Sequence, residues 1–203
     1  MDNIPAALRE KAATQGGVVS REQALGFRMR QSTITSKIRS GRWRPVHRGV
    51  YATFTGPVNR EAELWAALLY TGEGALLSHQ TAAEVDGLID QRSALIHLTI
   101  PAERHIRPAE GLRVHRSRRI RDLRFPPGEL PRTWVEDTIL DLASATSDLD
   151  EVCALVTAAF GRNKTSAGSM RTVLAERTSQ RWRREIEELI TAADNNTLVA
   201  PLA

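Results

Sequence analysis

A chain of 203 residues with 41% apolar and 26% charged residues is long enough to bury one large core or two small ones, which excludes a disordered protein. Its single cysteine, Cys153, excludes an intramolecular disulfide, and its longest apolar run, residues 64–70, is far below the roughly 20 residues of a membrane span. The net charge of +4 divides into +7 for residues 1–56 and −3 for residues 57–203, which favours a polyanionic partner for the N-terminal part.

Three short helices are predicted in the first 40 residues. The apolar spacing of residues 4–12 predicts the first helix, and a pair of glycines ends it. Ser20 and Gln23 have the spacing of a capping box, which begins the second helix. The third helix covers residues 31–40, where two isoleucines four positions apart point to one side and polar residues point to the other.

A basic hairpin follows the third helix. The stretch GRWRPVHRGVY, residues 41–51, contains two strand-like pieces around a turn with Pro45 and Gly49. Trp43, Val46, Val50 and Tyr51 are predicted to form its inner face, whereas the cationic residues between them are unsuited to burial. No acidic residue lies between Gln23 and Asn59. Three helices and a basic hairpin in this order are typical of a winged helix-turn-helix domain.

In such a domain the third helix enters the major groove and the hairpin lies along the phosphate backbone. The residues predicted to contact DNA from the third helix are Gln31, Ser32, Thr33, Ser36, Lys37 and Arg39. The residues predicted to contact phosphates from the hairpin are Arg42, Arg44, His47 and Arg48. The alternative is a small helical domain whose hairpin is simply solvated.

The remaining two thirds of the chain predict a mixed α/β domain that ends in several helices. After a linker near residues 55–57, the pattern predicts a helix over 59–70, a strand over 75–77, a helix over 79–85 capped by Ser78, and strands over 94–100 and 112–116. From Thr138 onwards the pattern is helical. The predicted fold class is therefore α+β, with a winged helix-turn-helix over residues 1–56 and an α/β domain over residues 57–203.

Two charged segments of this second domain are candidates for binding a partner. Residues 104–124 contain eight arginines, and an acidic helical segment begins near residue 136. Three roles are open for the arginines: they extend the DNA-binding surface, hold another nucleic acid, or pair with the acidic flanks. The acidic segment is either a docking face or an ordinary solvated surface. The candidate residues are Arg113, Arg116, Arg118, Arg119, Glu136, Asp137 and Asp141.

The motifs of common enzymes are missing. Neither G-x-G-x-x-G nor a Walker A sequence occurs, so no nucleotide cofactor is predicted. The five histidines show neither the H-x-x-x-H spacing nor a cysteine partner, so no metal site is predicted. We predict no catalytic residues, although an enzyme that processes nucleic acid and holds it with the arginines of residues 104–124 is a third interpretation. The N-terminus lacks the pattern of a secretion signal, which favours a cytoplasmic protein.

Three segments carry a resemblance to a known family. These are GRWRPVHRGVYATFTGPVNREAELWAALL, LLSHQTAAEVDGL and VHRSRRI. Together they resemble the AbiEi-type antitoxins of bacterial toxin-antitoxin operons, especially their actinobacterial branch, over roughly residues 15–160.

The resemblance implies a function for both domains. Family members bind operator DNA, often at inverted repeats, repress their own operon and counteract a nucleotidyltransferase-type toxin encoded beside them. By this resemblance residues 31–40 are the recognition helix, residues 42–51 the wing, and residues from about 59 onwards the antitoxin domain. Many actinobacterial relatives continue into a nuclease-like domain, and the sequence ends at Ala203 before one, so we expect no enzyme activity. The alternative is a stand-alone regulator whose second domain senses a ligand or dimerises.

Overall fold

The computed structural model describes residues 4–120 and 128–195 and confirms a mixed α+β fold. The described chain divides into two compact units. The first contains the residues up to Leu77 together with 98–131, and the second contains 78–97 together with the residues from Arg132 onwards. Residues 57–77 therefore belong to the same compact unit as the predicted DNA-binding domain.

The helices and strands follow the predicted order closely. The first unit begins with α1 (Ala6–Ala13), β1 (Val18–Ser20), α2 (Arg21–Gly26), α3 (Gln31–Arg39), β2 (Arg44–His47), β3 (Val50–Ala52), α4 (Arg60–Thr71) and β4 (Leu76–Leu77). Strand β5 (Ile96–Pro101) contains the division between the units, and β6 (Leu112–Ser117) belongs to the first unit. The second unit contains α5 (His79–Val85), α6 (Val135–Ala145), α7 (Leu149–Gly161), α8 (Ala167–Ala175) and α9 (Arg183–Asp194).

The first three strands form an antiparallel sheet in the order β1-β3-β2. Strand β3 is central, with Val18 opposite Ala52 and Val19 opposite Tyr51. Strand β1 was not predicted, because two valines are too short a run to be distinguished from a loop. Its pairing places the start of α2 directly beside the hairpin formed by β2 and β3.

A small core joins this sheet to the first three helices. Leu8, Ile34 and Trp43 are fully buried within it, and the Trp43 ring stacks on Tyr51 with 5.9 Å between the ring centroids. The burial of Trp43, Val50 and Tyr51 confirms the predicted inner face of the hairpin. Trp43 and Tyr51 belong to the core with the helices, whereas Arg42, Arg44 and Arg48 are exposed.

Local signals set the helix ends of this unit. Ser20 Oγ accepts from the Gln23 backbone N–H and Gln23 Oε1 accepts from the Ser20 N–H, both at 3.0 Å, so the predicted capping box is present. Gly17 ends the turn after α1 with φ +79°, and a Cβ there would lie 2.7 Å from the Phe54 ring. Asn59 Oδ1 caps α4 by accepting from the Ala62 N–H at 2.9 Å.

The second sheet has the order β4-β5-β6, with Leu76 opposite Thr99 and Leu77 opposite Leu98. Helix α4, which the sequence predicted to be interior, is buried through Ala62, Leu64 and Trp65. It packs on β1, β2, β3 and β4, so it joins the strands of both sheets within the first unit.

The second unit is a group of helices around one apolar core. Ile139, Val152, Met170, Ile186 and Ile190 are fully buried there, and they come from the four helices α6 to α9. Their spacing along each helix matches the apolar stripes of the sequence. Among residues 4–120 and 128–195, no helix combines the length and the apolar character needed to cross a membrane.

Candidate nucleic-acid interface

Helix α3 presents a polar face. Its residues Gln31, Ser32, Ser36 and Arg39 are exposed and Thr33 is half-buried, while Ile34 is fully buried against the core. Thr35, which the sequence analysis did not select, is also exposed on this helix. Hydroxyl, amide and guanidinium groups are those that read base edges in a major groove.

Lys37 does not belong to the exposed face. The structure leaves only 6% of this residue accessible, although the helical pattern placed it on the flank of α3. The chain turns back directly after the helix, and the Trp43 backbone N–H donates to the Lys37 carbonyl oxygen at 3.0 Å. The following segment therefore lies against this side of α3, and we remove Lys37 from the predicted DNA contacts.

Arg21 joins the hairpin turn to the first turn of α3. Its backbone N–H donates to the Gly49 carbonyl oxygen at 2.7 Å, and its side-chain Nε donates to Gln31 Oε1 at 2.9 Å. Gln31 Nε2 in turn donates to Thr35 Oγ1 at 3.3 Å. Arg21 was not among the predicted site residues because these partners lie 10 and 28 residues further along the chain. The first polar residue of α3 is thus oriented before any ligand binds.

The hairpin adds cations beside this face. Arg42, Arg44 and Arg48 are exposed, as predicted, and Arg44 donates to the Gly56 carbonyl oxygen at 2.9 Å. That bond holds the Arg44 guanidinium against the segment that leaves β3. All three arginines are exposed and are candidates for contacts with phosphate.

His47 differs from the other cations of the hairpin. It is half-buried, and its ring lies against Tyr70 of α4 with 5.2 Å between the ring centroids. Tyr70 is fixed in turn because its hydroxyl donates to the Arg107 carbonyl oxygen at 2.9 Å. Burial lowers the pKa of His47, so its ring is kept neutral to a lower pH than an ordinary histidine. A neutral, partly covered imidazole is a packing residue rather than a phosphate contact.

The lowered pKa of His47 predicts a loss of stability in acid. The unfolded chain, with an ordinary histidine pKa of about 6.5, takes up a proton before the folded chain does. The contribution of neutral His47 to the free energy of unfolding is therefore complete above the unfolded pKa. It decreases as the pH falls from there through the lower pKa of the folded chain. We expect His47→Phe, which keeps a ring against Tyr70, to lose less unfolding free energy than the wild type between about pH 7.5 and about pH 5.5. Denaturant titrations at the two pH values measure this, and equal losses would contradict it.

The arginine-rich segment continues along β6. Arg113, Arg116, Arg118 and Arg119 are exposed, and Arg116 donates to His105 Nε2 at 2.7 Å. Burial, and to a smaller extent the charge of Arg113, lowers the pKa of His115 on the same strand. Arg121 and Arg124 lie outside the described residues. These arginines give this segment a cationic, solvent-exposed surface.

The acidic residues of α6 that were predicted to bind a partner form hydrogen bonds and ion pairs within the second unit. Glu136 is 7% exposed and accepts a hydrogen bond from Thr165 Oγ1. Asp137 and Asp141 both bind the Arg177 guanidinium, at 2.9 and 2.7 Å. The sequence pattern placed these three acids on an open surface. The residues that they bind, Thr165 and Arg177, lie about 30 to 40 positions further along the chain. We therefore remove Glu136, Asp137 and Asp141 from the predicted partner surface.

Trp134 is a partner-binding candidate that the sequence analysis missed. It precedes α6 and is 54% exposed, which makes it the most exposed of the large apolar side chains in the described part of the chain. Exposed tryptophans are enriched among the residues that dominate protein interfaces. A tryptophan in the polar stretch PRTWVED was the available signal.

The second unit also contains a cavity and a pair of histidines. The cavity has a volume of about 560 Å³ and a mostly apolar lining that includes Gln80, Leu88, Leu142 and Leu155. The His79 and His97 rings lie 5.8 Å apart, centroid to centroid, and imidazoles are common metal ligands. The pattern of the sequence gave no sign of this pair, because the two residues are 18 positions apart.

Ser78 does not cap α5 as predicted. It occupies the N-cap position, but its side chain makes no hydrogen bond to the backbone of the helix. Its Oγ instead lies 3.1 Å from His79 Nδ1. Ser78 is also fully buried, and a buried hydroxyl does not suit a nucleophile that must reach a substrate.

Asp86 has the perturbed carboxyl group that often marks an active site. Burial raises its pKa, although Arg132, whose Nε lies 2.6 Å from Asp86 Oδ1, opposes the change. Lys164 also opposes it, and Glu136 adds to the effect of burial. Because the carboxylate forms an ion pair with Arg132 within the second unit, we assign Asp86 a structural role.

Comparison with known proteins identifies a similar structure. A crystal structure of the Rv2827c protein from Mycobacterium tuberculosis aligns with 97% of this chain and 82% of that protein, with a TM-score of 0.55 at 15% sequence identity. The two proteins therefore share a fold. No protein-family model and no curated protein match the sequence.

Proposed function

We propose that the N-terminal part of this protein is a winged helix-turn-helix module that binds operator DNA. The observation that carries the proposal is the exposed polar face of α3 beside a basic hairpin, in a stretch of 35 residues without an acid, 24–58. The order of three helices and three strands, with the sheet order β1-β3-β2, supports the same interpretation. Arg21 supports it further because it couples the hairpin turn to α3.

The proposed roles of α3 and of the hairpin follow from the exposure and the chemistry of their side chains. Ser32 and Ser36 offer hydroxyl groups to base edges, and Gln31 is held in place for the same role by Arg21. Arg42 and Arg48 bind phosphates, which fix the register of the protein on the duplex without reading sequence. The hairpin therefore anchors the protein, and α3 selects the site.

A mobility-shift assay with a DNA fragment from the protein's own promoter tests this half of the proposal. At about 150 mM salt, non-specific phosphate binding is weak, so a retained preference for the promoter fragment over a scrambled fragment reports sequence recognition. Equal binding to both fragments at this salt concentration would contradict operator recognition.

The second half of the proposal is that the protein is an antitoxin that represses its own operon and counteracts a nucleotidyltransferase-like toxin. It is supported by the resemblance of residues 41–69, 76–88 and 114–120 to AbiEi-type antitoxins. The exposed Trp134 offers an apolar anchor for such a partner.

Co-purification with the product of the neighbouring gene tests the antitoxin role. We expect the two proteins to elute together from a sizing column, and co-expression to restore growth to cells that express the neighbouring gene. Trp134→Ala should weaken the complex without changing DNA binding. Separate elution and no rescue of growth would contradict the antitoxin role and leave the DNA-binding role intact.

The apolar cavity favours a second candidate function, a regulator that senses a small molecule. A volume of about 560 Å³ is within the range of small-molecule sites. In that case the neighbouring gene encodes no toxin, and an apolar ligand changes the affinity for the promoter fragment. Leu155→Trp, which fills the cavity, should remove the response to the ligand while leaving ligand-free DNA binding unchanged.

A further inference from the structure

Two imidazoles lie together where α5 and β5 begin. His79 is the first residue of α5, and His97 is the second residue of β5. Their ring planes are inclined by 34°, and one nitrogen of each ring lies within 4.8 Å of one nitrogen of the other. Two nitrogens bound to one tetrahedral metal ion at about 2.0–2.1 Å are about 3.4 Å apart, so a small rotation of either side chain brings the pair into ligand geometry.

The backbone around the pair is held by hydrogen bonds. The Ser78 N–H donates to the His97 carbonyl oxygen at 3.0 Å, and the His97 N–H donates to Thr81 Oγ1 at 2.9 Å. Ser78 and Thr81 are both fully buried. The attachment points of the two rings are therefore fixed relative to each other, which lowers the entropy lost when both rings bind one ion.

His79 has an unusual backbone conformation. Its φ is +51°, in the left-handed region that only a few per cent of residues other than glycine adopt, histidine more often than most. Unfavourable conformations of this kind concentrate at functional sites. In addition, His79 Nδ1 lies 3.1 Å from Ser78 Oγ. A metal-binding histidine is typically oriented in this way by a hydrogen bond to its other nitrogen.

We propose that His79 and His97 bind a divalent transition-metal ion of the Zn²⁺ class. His79 binds it through Nε2, because Nδ1 faces Ser78, and water molecules complete the coordination. Imidazole is a ligand of borderline softness, so the pair takes Zn²⁺, Ni²⁺ and Cu²⁺ and does not retain Mg²⁺ or Ca²⁺, which require oxygen ligands. The bound ion would link the beginning of α5 to the beginning of β5.

Calorimetric titration of the full-length protein with Zn²⁺ tests the proposal. We expect one ion per chain for the wild type and no binding of Mg²⁺ under the same conditions. His79→Asn is the best substitution at the first position, because asparagine tolerates a positive φ and the backbone is kept. His97→Gln removes the second ring and keeps the backbone bonds to Ser78 and Thr81. Each variant should weaken Zn²⁺ binding at least tenfold.

A matched control removes a histidine from outside the pair. His105, whose ring interacts with Arg116, is replaced in His105→Gln, which should bind Zn²⁺ like the wild type. Variants that bind Zn²⁺ as tightly as the wild type would overturn the proposal, and so would an equal loss in the His105 control.

A second measurement does not depend on the folding of variants. X-ray absorption at the zinc edge of the wild-type complex should show the multiple-scattering signature of at least two imidazoles. A spectrum with oxygen ligands alone would overturn the proposal.

Discussion

Replacing Arg42 and Arg48 together by alanine is expected to weaken binding to every DNA duplex by a similar factor. Both side chains are exposed on the hairpin, where a phosphate contact releases condensed counterions. We expect the slope of log affinity against log salt concentration to fall by about two, close to one for each lost contact. The preference for the promoter fragment over scrambled DNA should remain, because neither residue is predicted to touch a base.

A substitution on α3 should instead reduce the preference for the promoter fragment and leave the salt dependence of binding unchanged. Ser36→Ala is expected to cost about 1–3 kcal/mol on the promoter fragment and little on scrambled DNA, with an unchanged salt slope. Arg9→Ala removes an exposed cation of α1, outside the proposed interface, and should leave both quantities unchanged. Salt titrations of fluorescence anisotropy measure all three variants. A selective loss of promoter preference in the double arginine variant would show that the hairpin reads sequence.

Replacing Arg177 by methionine is expected to lower the free energy of unfolding by about 3–5 kcal/mol. The Arg177 side chain is 11% exposed, and its guanidinium binds Asp137 at 2.9 Å and Asp141 at 2.7 Å, joining the segment after α8 to α6. Burial alone lowers the pKa of Arg177, but Asp141 and Asp137 outweigh it and raise the pKa, which shows that the charged form is favoured. Methionine keeps the apolar stem and leaves two poorly solvated carboxylates without their cation.

The exposed ion pair of Arg171 with Asp194 is a matched control. Its N–O distance is also 2.7 Å, but the two side chains are 54% and 46% exposed. Arg171→Met should therefore cost less than about 1 kcal/mol. Adding Asp137→Asn and Asp141→Asn to Arg177→Met should recover part of the lost stability, because the uncompensated charges are removed. Denaturant unfolding measures these differences, and equal costs for Arg171→Met and Arg177→Met would contradict the role of burial.

The elements that the sequence predicted best depend on local interactions. The capping box of Ser20 and Gln23 joins residues three positions apart. The apolar stripes of α6, α7 and α9 are similarly visible in any short window. Strand β1 was not predicted because it forms a strand only by pairing with β3, about 30 residues away.

The candidate sites were predicted less completely than the fold. Lys37 has the right composition for a DNA contact, yet the segment that carries Trp43 covers it. The acids Asp137 and Asp141 have the right composition for a docking face, yet they bind Arg177. A helical wheel assigns a direction to a side chain, but it does not show what lies in that direction.

The sequence by itself determined the order of helices and strands, the polar face of α3, the basic hairpin beside it and the exclusion of an intramolecular disulfide. These properties follow from residue type and from spacing along the chain. Only the tertiary structure decided which charges face solvent, that Arg21 orients Gln31, and that His79 and His97 meet. The physical reason is that the role of a polar group depends on its burial and on its partner. Such a partner can be distant in sequence: Asp137 and Arg177 are 40 positions apart along the chain.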